Sequence, residues 1–387
     1  MFIHLLINFL SGSAGTLNGI VLGRKQNLRG GGMINKASAG LLVRLTATYV
    51  GAVIGAGFAS GQEILQFFIL HGYRGLLGAL LASLLFAYLG GLAMYLGVNL
   101  KAGSYREVFN CLWGRRTAQL MDLISLAILA GGLGVMLAGS GAVAEEYLGL
   151  PRWLGIAAAL LVVFYVIMHG LTGLLTANVI LVPVKLAGVC LIAALAVMHR
   201  GLPAALPFIN QPGVGGHWLW SSLLYVSFNM TVPVAVLSSL GRTADKKTGV
   251  YAGVLGGLIL GGAVALVTVA GLAFYPEVAN YEVPLLYMAT CVSSVLRPLF
   301  ALLIWLAILT TAIANAHGFA SRLAPAGGRR YRLCGCILCL AVLPLTLFDF
   351  SFLVRVLYPL FGYAGLIIFC SFLIAPLWKP HRGGKQR

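Results

Sequence analysis

Residues 50–63 read VGAVIGAGFASGQE, and this glycine-rich run distinguishes between two folds. A dinucleotide-binding turn needs a preceding strand, a soluble helix and an acidic residue about 20 positions later. Here the spacing is G-x-G-x-x-x-G, both flanks continue as apolar sequence of membrane length, and no carboxylate lies between Glu63 and Glu107. The run therefore predicts an interrupted membrane helix and excludes a nucleotide fold.

The composition is that of an all-α polytopic membrane protein. Of the 387 residues, 60% are hydrophobic and only 9% are charged, and the mean hydropathy is +0.96. Because a spanning helix needs about 20 mostly apolar residues, the pattern predicts a ten-helix domain over 41–378, between an N-terminal tail (1–40) and a basic tail (379–387). The predicted spans are 41–69, 76–99, 118–144, 152–169, 173–198, 218–240, 249–275, 298–321, 333–348 and 352–377.

The net charge of +17 is distributed by topology. Basic residues precede the first span, follow each even span and fill the C-terminal tail, whereas the opposite loops hold most of the acidic residues. The positive-inside rule then predicts a plasma (inner) membrane protein with both termini in the cytoplasm, and no nucleic-acid partner. The first 32 residues make a poor signal peptide and a poor span, and Met33 is an alternative start.

Five spans before residue 200 and five after it permit an inverted repeat, with a substrate site between two broken helices. Unwinding of the first span near Gly55, Ala56 and Gly57, with Ser60 in the same stretch, would free amides that bind a substrate carboxylate. The carbonyls of Val53 and Ile54 would accept bonds from an ammonium group or a cation. The alternative is packing of small residues between helices.

The sixth span reads LYVSFNMTVPVAVLSSLG and supplies the second predicted break. Ser227, Asn229 and Thr231 come just before Pro233, and a proline removes a backbone donor and so frees carbonyls near Asn229. The alternative is a proline kink with satisfied hydroxyls.

The segment GAVIGAGF at 51–58 resembles the first-helix signature of the amino acid, polyamine and organocation transporter superfamily. The longer run TYVGAVIGAGFASGQEI resembles the YkvI-like permeases within that superfamily. The resemblance implies the LeuT-like fold, with helices 1 and 6 broken and the substrate carboxylate on the amides around Gly55, Ala56 and Gly57. The resemblance does not name the cargo.

Lys185 lies in the middle of the fifth span, where a lysine costs about 2.5–3.5 kcal/mol on insertion scales. In some members of the superfamily a lysine in this helix takes the place of sodium, which implies an ion-coupling role for Lys185. Thr310 and Thr311 in the eighth span then either hydrogen-bond Lys185 or bind sodium in its stead. The alternatives are a structural lysine, and hydroxyls that bond to their own helix.

Glu63 lies six residues beyond Gly57, about 9 Å further outward if the segment is helical. Arg355 enters the tenth span from the same side, so the two residues are candidates for an external gate. Glu63 is alternatively a ligand for a cationic substrate, or a neutralising partner for Lys185.

These observations predict a secondary active transporter for an amino acid or related small amine, proton-coupled or sodium-independent. No enzyme motif is present, so we expect no catalytic activity and no cofactor other than H⁺ or Na⁺ as coupling ion. The alternatives are a transporter-like nutrient sensor, a sodium-coupled carrier and a channel. The expected partners are a small-molecule substrate and the lipid bilayer, and the sequence does not indicate the oligomeric state.

Overall fold

The computed structural model describes residues 36–100, 115–169, 172–202, 213–240 and 243–374. The predictions about residues 1–35 and about the basic tail 379–387 lie outside these ranges. The chain from Leu41 onward forms one compact unit. Its architecture is helical, since apolar sequence within a membrane must satisfy its own backbone hydrogen bonds.

The α-helices are numbered in chain order, and short 3₁₀ segments at Ile69–His71, Glu277–Asn280 and Leu343–Leu347 lie between some of them. They are α1 Lys36–Val53, α2 Ala56–Ser60, α3 Gln62–Phe67, α4 Tyr73–Leu100, α5 Arg115–Leu148, α6 Arg152–His169, α7 Thr172–Arg200, α8 Trp218–Ser239, α9 Lys246–Ala273, α10 Pro284–Val292, α11 Leu296–Leu323, α12 Gly328–Ala341 and α13 Phe350–Ile374.

Within the described ranges, eight segments are long and apolar enough to cross a membrane: α4, α5, α6, α7, α9, α11, α12 with its following 3₁₀ turn, and α13. The remaining two predicted spans correspond to the divided segment α1 to α3 and to α8. The helix order therefore agrees with the ten-span pattern, because long apolar runs separated by short polar segments are the strongest sequence signal for such helices.

The first span is interrupted where the sequence predicts it, but the expected break in the sixth span is not present. Helix α8 is continuous from Trp218 to Ser239 with Pro233 inside it. The Asn229 side chain donates to the carbonyl of Tyr225 (3.1 Å), and the Thr231 hydroxyl donates to that of Ser227 (3.2 Å). Neither bond replaces the one that Pro233 removes, which would run to the carbonyl of Asn229. Helix α8 nevertheless stays helical, and it packs against α4 and α13.

Helix α10 lies between the seventh and eighth predicted spans, and one of its faces is buried. Leu285, Leu286 and Met288 are at most 3% exposed. The helix packs against α7 and α11 and also reaches α2 and α3. The apolar positions of this segment therefore serve packing inside the bundle, beside the interrupted first span.

Candidate functional site

The chain between α1 and α2 leaves the helical path for two residues, Ile54 and Gly55. The Gly55 amide turns back to the carbonyl of Val53 (2.8 Å), and the first backbone bond of α2 runs from the Ala59 amide to the Gly55 carbonyl (3.1 Å). The amides of Ala56, Gly57 and Phe58 belong to the first turn of α2, so no preceding turn of helix supplies carbonyl acceptors for them. All three residues are buried.

A second interruption follows at Gly61, which separates α2 from α3. Its φ of 84° lies in the left-handed region, which favours glycine. A side chain at this position would also be crowded, because an added Cβ would lie 3.1 Å from the amide nitrogen of Leu285. The start of α10 is therefore packed directly onto the bend. The Ser60 hydroxyl, just before the bend, donates to the carbonyl of Gly57 (2.8 Å).

The bend at Gly61 places Glu63 differently from the regular-helix expectation of about 9 Å beyond Gly57. The carboxyl group lies directly against Gly57, and an added Cβ on Gly57 would be 2.8 Å from the Glu63 Cδ. Glu63 is 3% exposed, and its Oε2 has no hydrogen-bond partner among the described residues. A buried carboxyl group thus lies at the start of the interrupted helix.

Two tyrosines that sequence reasoning did not select interact electrostatically with Glu63. They are Tyr225 of α8 and Tyr358 of α13, both at most 4% exposed. The Tyr225 hydroxyl is also buried with no hydrogen-bond partner in the described chain. No local sequence signal identifies these residues, since they approach Glu63 only when α3, α8 and α13 pack together.

Lys185 and the two threonines lie near the break. The Lys185 Nζ donates to the Thr310 Oγ1 (2.8 Å), and Lys185 is 2% exposed. The Thr311 hydroxyl bonds to its own helix at the Ala307 carbonyl (2.8 Å), while the same side chain lies 3.9 Å from an added Cβ on Gly55. Helices α7 and α11 therefore bring a buried ammonium group beside the interrupted first span.

The polar side chains of α8 hydrogen-bond to backbone carbonyls of α8 and α13. The Ser227 hydroxyl donates to the Gly362 carbonyl of α13 (2.7 Å), and Asn229 and Thr231 bond within α8. All three side chains are buried. These bonds satisfy the three buried side chains, and their predicted contact with a substrate stays a prediction.

The structure does not bring Glu63 and Arg355 together. Arg355 is exposed, and its guanidinium lies over the ring of Phe352 (5.7 Å to the centroid). It lines a cavity of about 590 Å³ that is also bordered by Gln62 and Gln66 of α3. The external gate between these two residues stays a prediction.

Comparison with known proteins identifies relatives and fold neighbours. The chain is 26% identical to the uncharacterized membrane protein YkvI of Bacillus subtilis (strain 168) over 329 residues, which cover 85% of this chain and 94% of YkvI. It is 29% identical to the uncharacterized protein YyaD of the same strain over 340 residues, which cover 85% of this chain and 96% of YyaD. No protein-family model matches the chain.

Solved structures show the fold. Mhp1 in its inward-facing conformation aligns with a TM-score of 0.50 and 15% identity, over 86% of this chain and 73% of Mhp1. Two variants of the Eremococcus coleocola manganese transporter align with TM-scores of 0.54 and 0.53, at 15% and 14% identity, each over 92% of this chain and 82% of the transporter. The chain is therefore an integral membrane protein with the LeuT-type fold of these transporters, similar in sequence to the membrane protein YkvI.

Proposed function

We propose that the chain is a secondary active transporter for an amino acid or related small amine, working by alternating access. The observation that carries this proposal is the interruption of the first span at Ile54 and Gly55, within a fold that secondary transporters use. Irregular backbone inside a membrane survives only where protein or a water-filled cavity surrounds it. Transporters of this architecture place their substrates at such interruptions.

In this proposal the substrate lies beside the start of α2. The amides of Ala56 and Gly57 receive its carboxylate, because free helical donors favour an anion. The carbonyls of Val53 and Ile54 lie on the other side of the interruption, and α8 closes the site with Asn229 and Thr231. A sequence relationship to YkvI is compatible with this role but does not identify the cargo.

Lys185 is the proposed coupling group. Its Nζ lies between α7 and α11 and is held by the Thr310 hydroxyl. A buried ammonium group at this position supplies the positive charge that a bound sodium ion would otherwise supply, so we propose transport that is sodium-independent or driven by protons. A lysine that exchanges its proton when the cavity opens would couple transport to a proton gradient.

The proposed location is the plasma (inner) membrane with both termini in the cytoplasm. The support is the distribution of Lys and Arg over alternate loops of the sequence. The end of the bundle at which α5 ends and α6 begins, called the α5–α6 end below, then faces outward.

The test is uptake by the purified full-length protein in liposomes. The protein amino acids and their simple amine relatives are supplied with a proton gradient, a sodium gradient or neither. We expect accumulation of at least one compound that depends on pH and not on sodium. Lys185→Ala, together with Lys185→Met to preserve side-chain volume, is expected to reduce uptake at least about tenfold and to flatten its pH dependence.

Lys246→Ala is the matched control, since Lys246 lies at the start of α9 over the ring of Tyr95 (4.3 Å). Ligand binding without flux would favour a sensor, and strict sodium dependence would favour a sodium-coupled carrier. Unchanged uptake and pH dependence in both Lys185 variants would contradict the coupling role.

A further inference from the structure

The buried carboxyl group of Glu63 has no cationic partner among the described residues. Its Oε2 accepts no hydrogen bond there, and Lys185, the buried cation of the same region, bonds to Thr310 instead. An isolated buried carboxylate is costly unless a proton or a cation accompanies it. A carboxyl group at this depth in a membrane protein is therefore a candidate for function rather than for packing.

The surroundings of Glu63 suit an organic cation. The phenol groups of Tyr225 on α8 and Tyr358 on α13 lie within electrostatic range of the carboxyl group. The ring of Tyr225 is in turn enclosed by the rings of Phe67 and Phe68, at centroid distances of 5.4 and 4.9 Å. Aromatic faces and a carboxylate together attract ammonium groups. One carboxylate with two phenols would leave a divalent metal ion short of the six or more oxygens that Ca²⁺ and Mg²⁺ take.

The position of Glu63 also constrains the other end of the cargo. Its carboxyl group covers Gly57, next to the amides at the start of α2. A ligand that carries only a carboxylate would meet the like charge of Glu63. A zwitterion or a simple amine avoids that repulsion, since its ammonium group faces Glu63.

We propose that Glu63 binds the protonated amine of the cargo, so that the site accepts amines and zwitterionic amino acids and rejects molecules that carry only a carboxylate. This inference rests on the proposed transport function and assigns the specificity-determining group of the same site. The cavity of about 590 Å³ borders Gln62, the neighbour of Glu63, and Asp349 at the α5–α6 end. Access to Glu63 itself requires α3 to move, since Glu63 is buried in this conformation.

The experiment measures ligand-induced thermal stabilisation of the purified full-length protein. The probes are the twenty protein amino acids, their carboxamides, which keep the amine and lose the carboxylate, and their N-acetyl derivatives, which lose the ammonium charge. We expect stabilisation by at least one amino acid and its carboxamide, and none by its N-acetyl derivative. Glu63→Gln should weaken that binding at least about tenfold, because a hydrogen bond to a charged group is lost, and Glu63→Asp should recover part of it.

The ligand-free melting temperature separates a binding defect from misfolding. Glu63→Gln should leave it unchanged or raise it, because the variant removes an unpaired buried charge. Glu145→Gln is the matched control, since it removes the same charge from a half-exposed side chain next to Arg152.

Three results would overturn the inference. Binding of N-acetyl derivatives as tight as that of the amino acids would contradict amine recognition while leaving transport intact. Full binding by Glu63→Gln with an altered pH dependence would make Glu63 a proton carrier instead. If no probe stabilises the wild-type protein and none is taken up in liposomes, the proposed function and this inference fail together.

Discussion

Two buried charges lie near the interruption in the first span, and their hydrogen bonding differs. Lys185 is held by the Thr310 hydroxyl at 2.8 Å, and that hydroxyl in turn lies 3.0 Å from the carbonyl of Leu306. Glu63 has no such partner within the described chain. A charged group with a fixed hydrogen-bond acceptor is stabilised in place, whereas one without a partner depends on a ligand or a proton.

The hydroxyl of Thr310 can be tested against that of its neighbour. Thr310→Val keeps the side-chain shape but removes the acceptor of the Lys185 ammonium, and such a loss costs about 1.5–3 kcal/mol. We expect a clear decrease in the melting temperature in detergent. Thr311→Val should have a smaller effect, because the Thr311 hydroxyl bonds only to its own helix at Ala307. Equal melting temperatures of the two variants would show that the Lys185–Thr310 bond contributes little.

Helices α4 and α9, the second and seventh spans, pack at very short range through glycines spaced four residues apart. An added Cβ on Gly253 would collide with the backbone of Gly90, one on Gly257 with that of Ala87, and one on Gly261 with Ser83. In a membrane, where lipid is as apolar as leucine, such close backbone approach is a main source of helix association. This glycine face therefore holds the second and seventh spans against each other.

Replacement of Gly257 by alanine should disrupt this contact. The added methyl group meets backbone rather than a flexible side chain, and overpacking of this kind costs about 1–3 kcal/mol. Gly262→Ala is the matched control on the same helix, because nothing lies within 4 Å of its added Cβ and the residue is exposed. We expect a lower melting temperature for Gly257→Ala and an unchanged or slightly higher one for the control. Similar values would contradict the packing argument.

An ion-pair cluster joins both halves of the molecule at the α5–α6 end. Arg152 of α6 contacts Glu282 in two places (2.6 and 3.2 Å), Asp349 at 2.9 Å and Glu145 of α5 at 3.5 Å. Glu282 also accepts a bond from the Phe350 amide at the start of α13 (2.7 Å). One guanidinium thus ties α5, α6, the segment before α10 and the start of α13.

Loss of this guanidinium should destabilise the whole bundle. Arg152→Met leaves three carboxylates facing one another, and because the Arg152 and Glu282 side chains are only 25% and 18% exposed, we expect a loss of about 2 kcal/mol of unfolding free energy. Arg200→Met is the comparison, since Arg200 pairs with Glu277 through side chains that are 40% and 45% exposed, and such pairs contribute about 0–1 kcal/mol. Thermal unfolding in detergent measures both. A loss in Arg152→Met no larger than that in Arg200→Met would refute the role of the cluster.

The membrane class, the helix order and the interruption near Gly55 were predictable because each depends on local sequence. Apolar runs of sufficient length form spanning helices, and clustered glycines weaken a helix because they have no side chain to restrict the backbone. The sequence left open whether Thr310 hydrogen-bonds Lys185, which lies 125 residues away in the chain. The structure contains this bond. Their role in coupling stays a proposal.

The position of Glu63 and the continuity of α8 depended on packing. A single left-handed residue, Gly61, turns the chain and brings the Glu63 carboxyl group onto Gly57, so a distance counted along a regular helix was wrong. Helix α8 continues through Pro233 while packed against α4 and α13. Hydropathy and spacing sum contributions along the chain, whereas these features arise from one backbone angle and from contacts between distant helices, which no local pattern encodes.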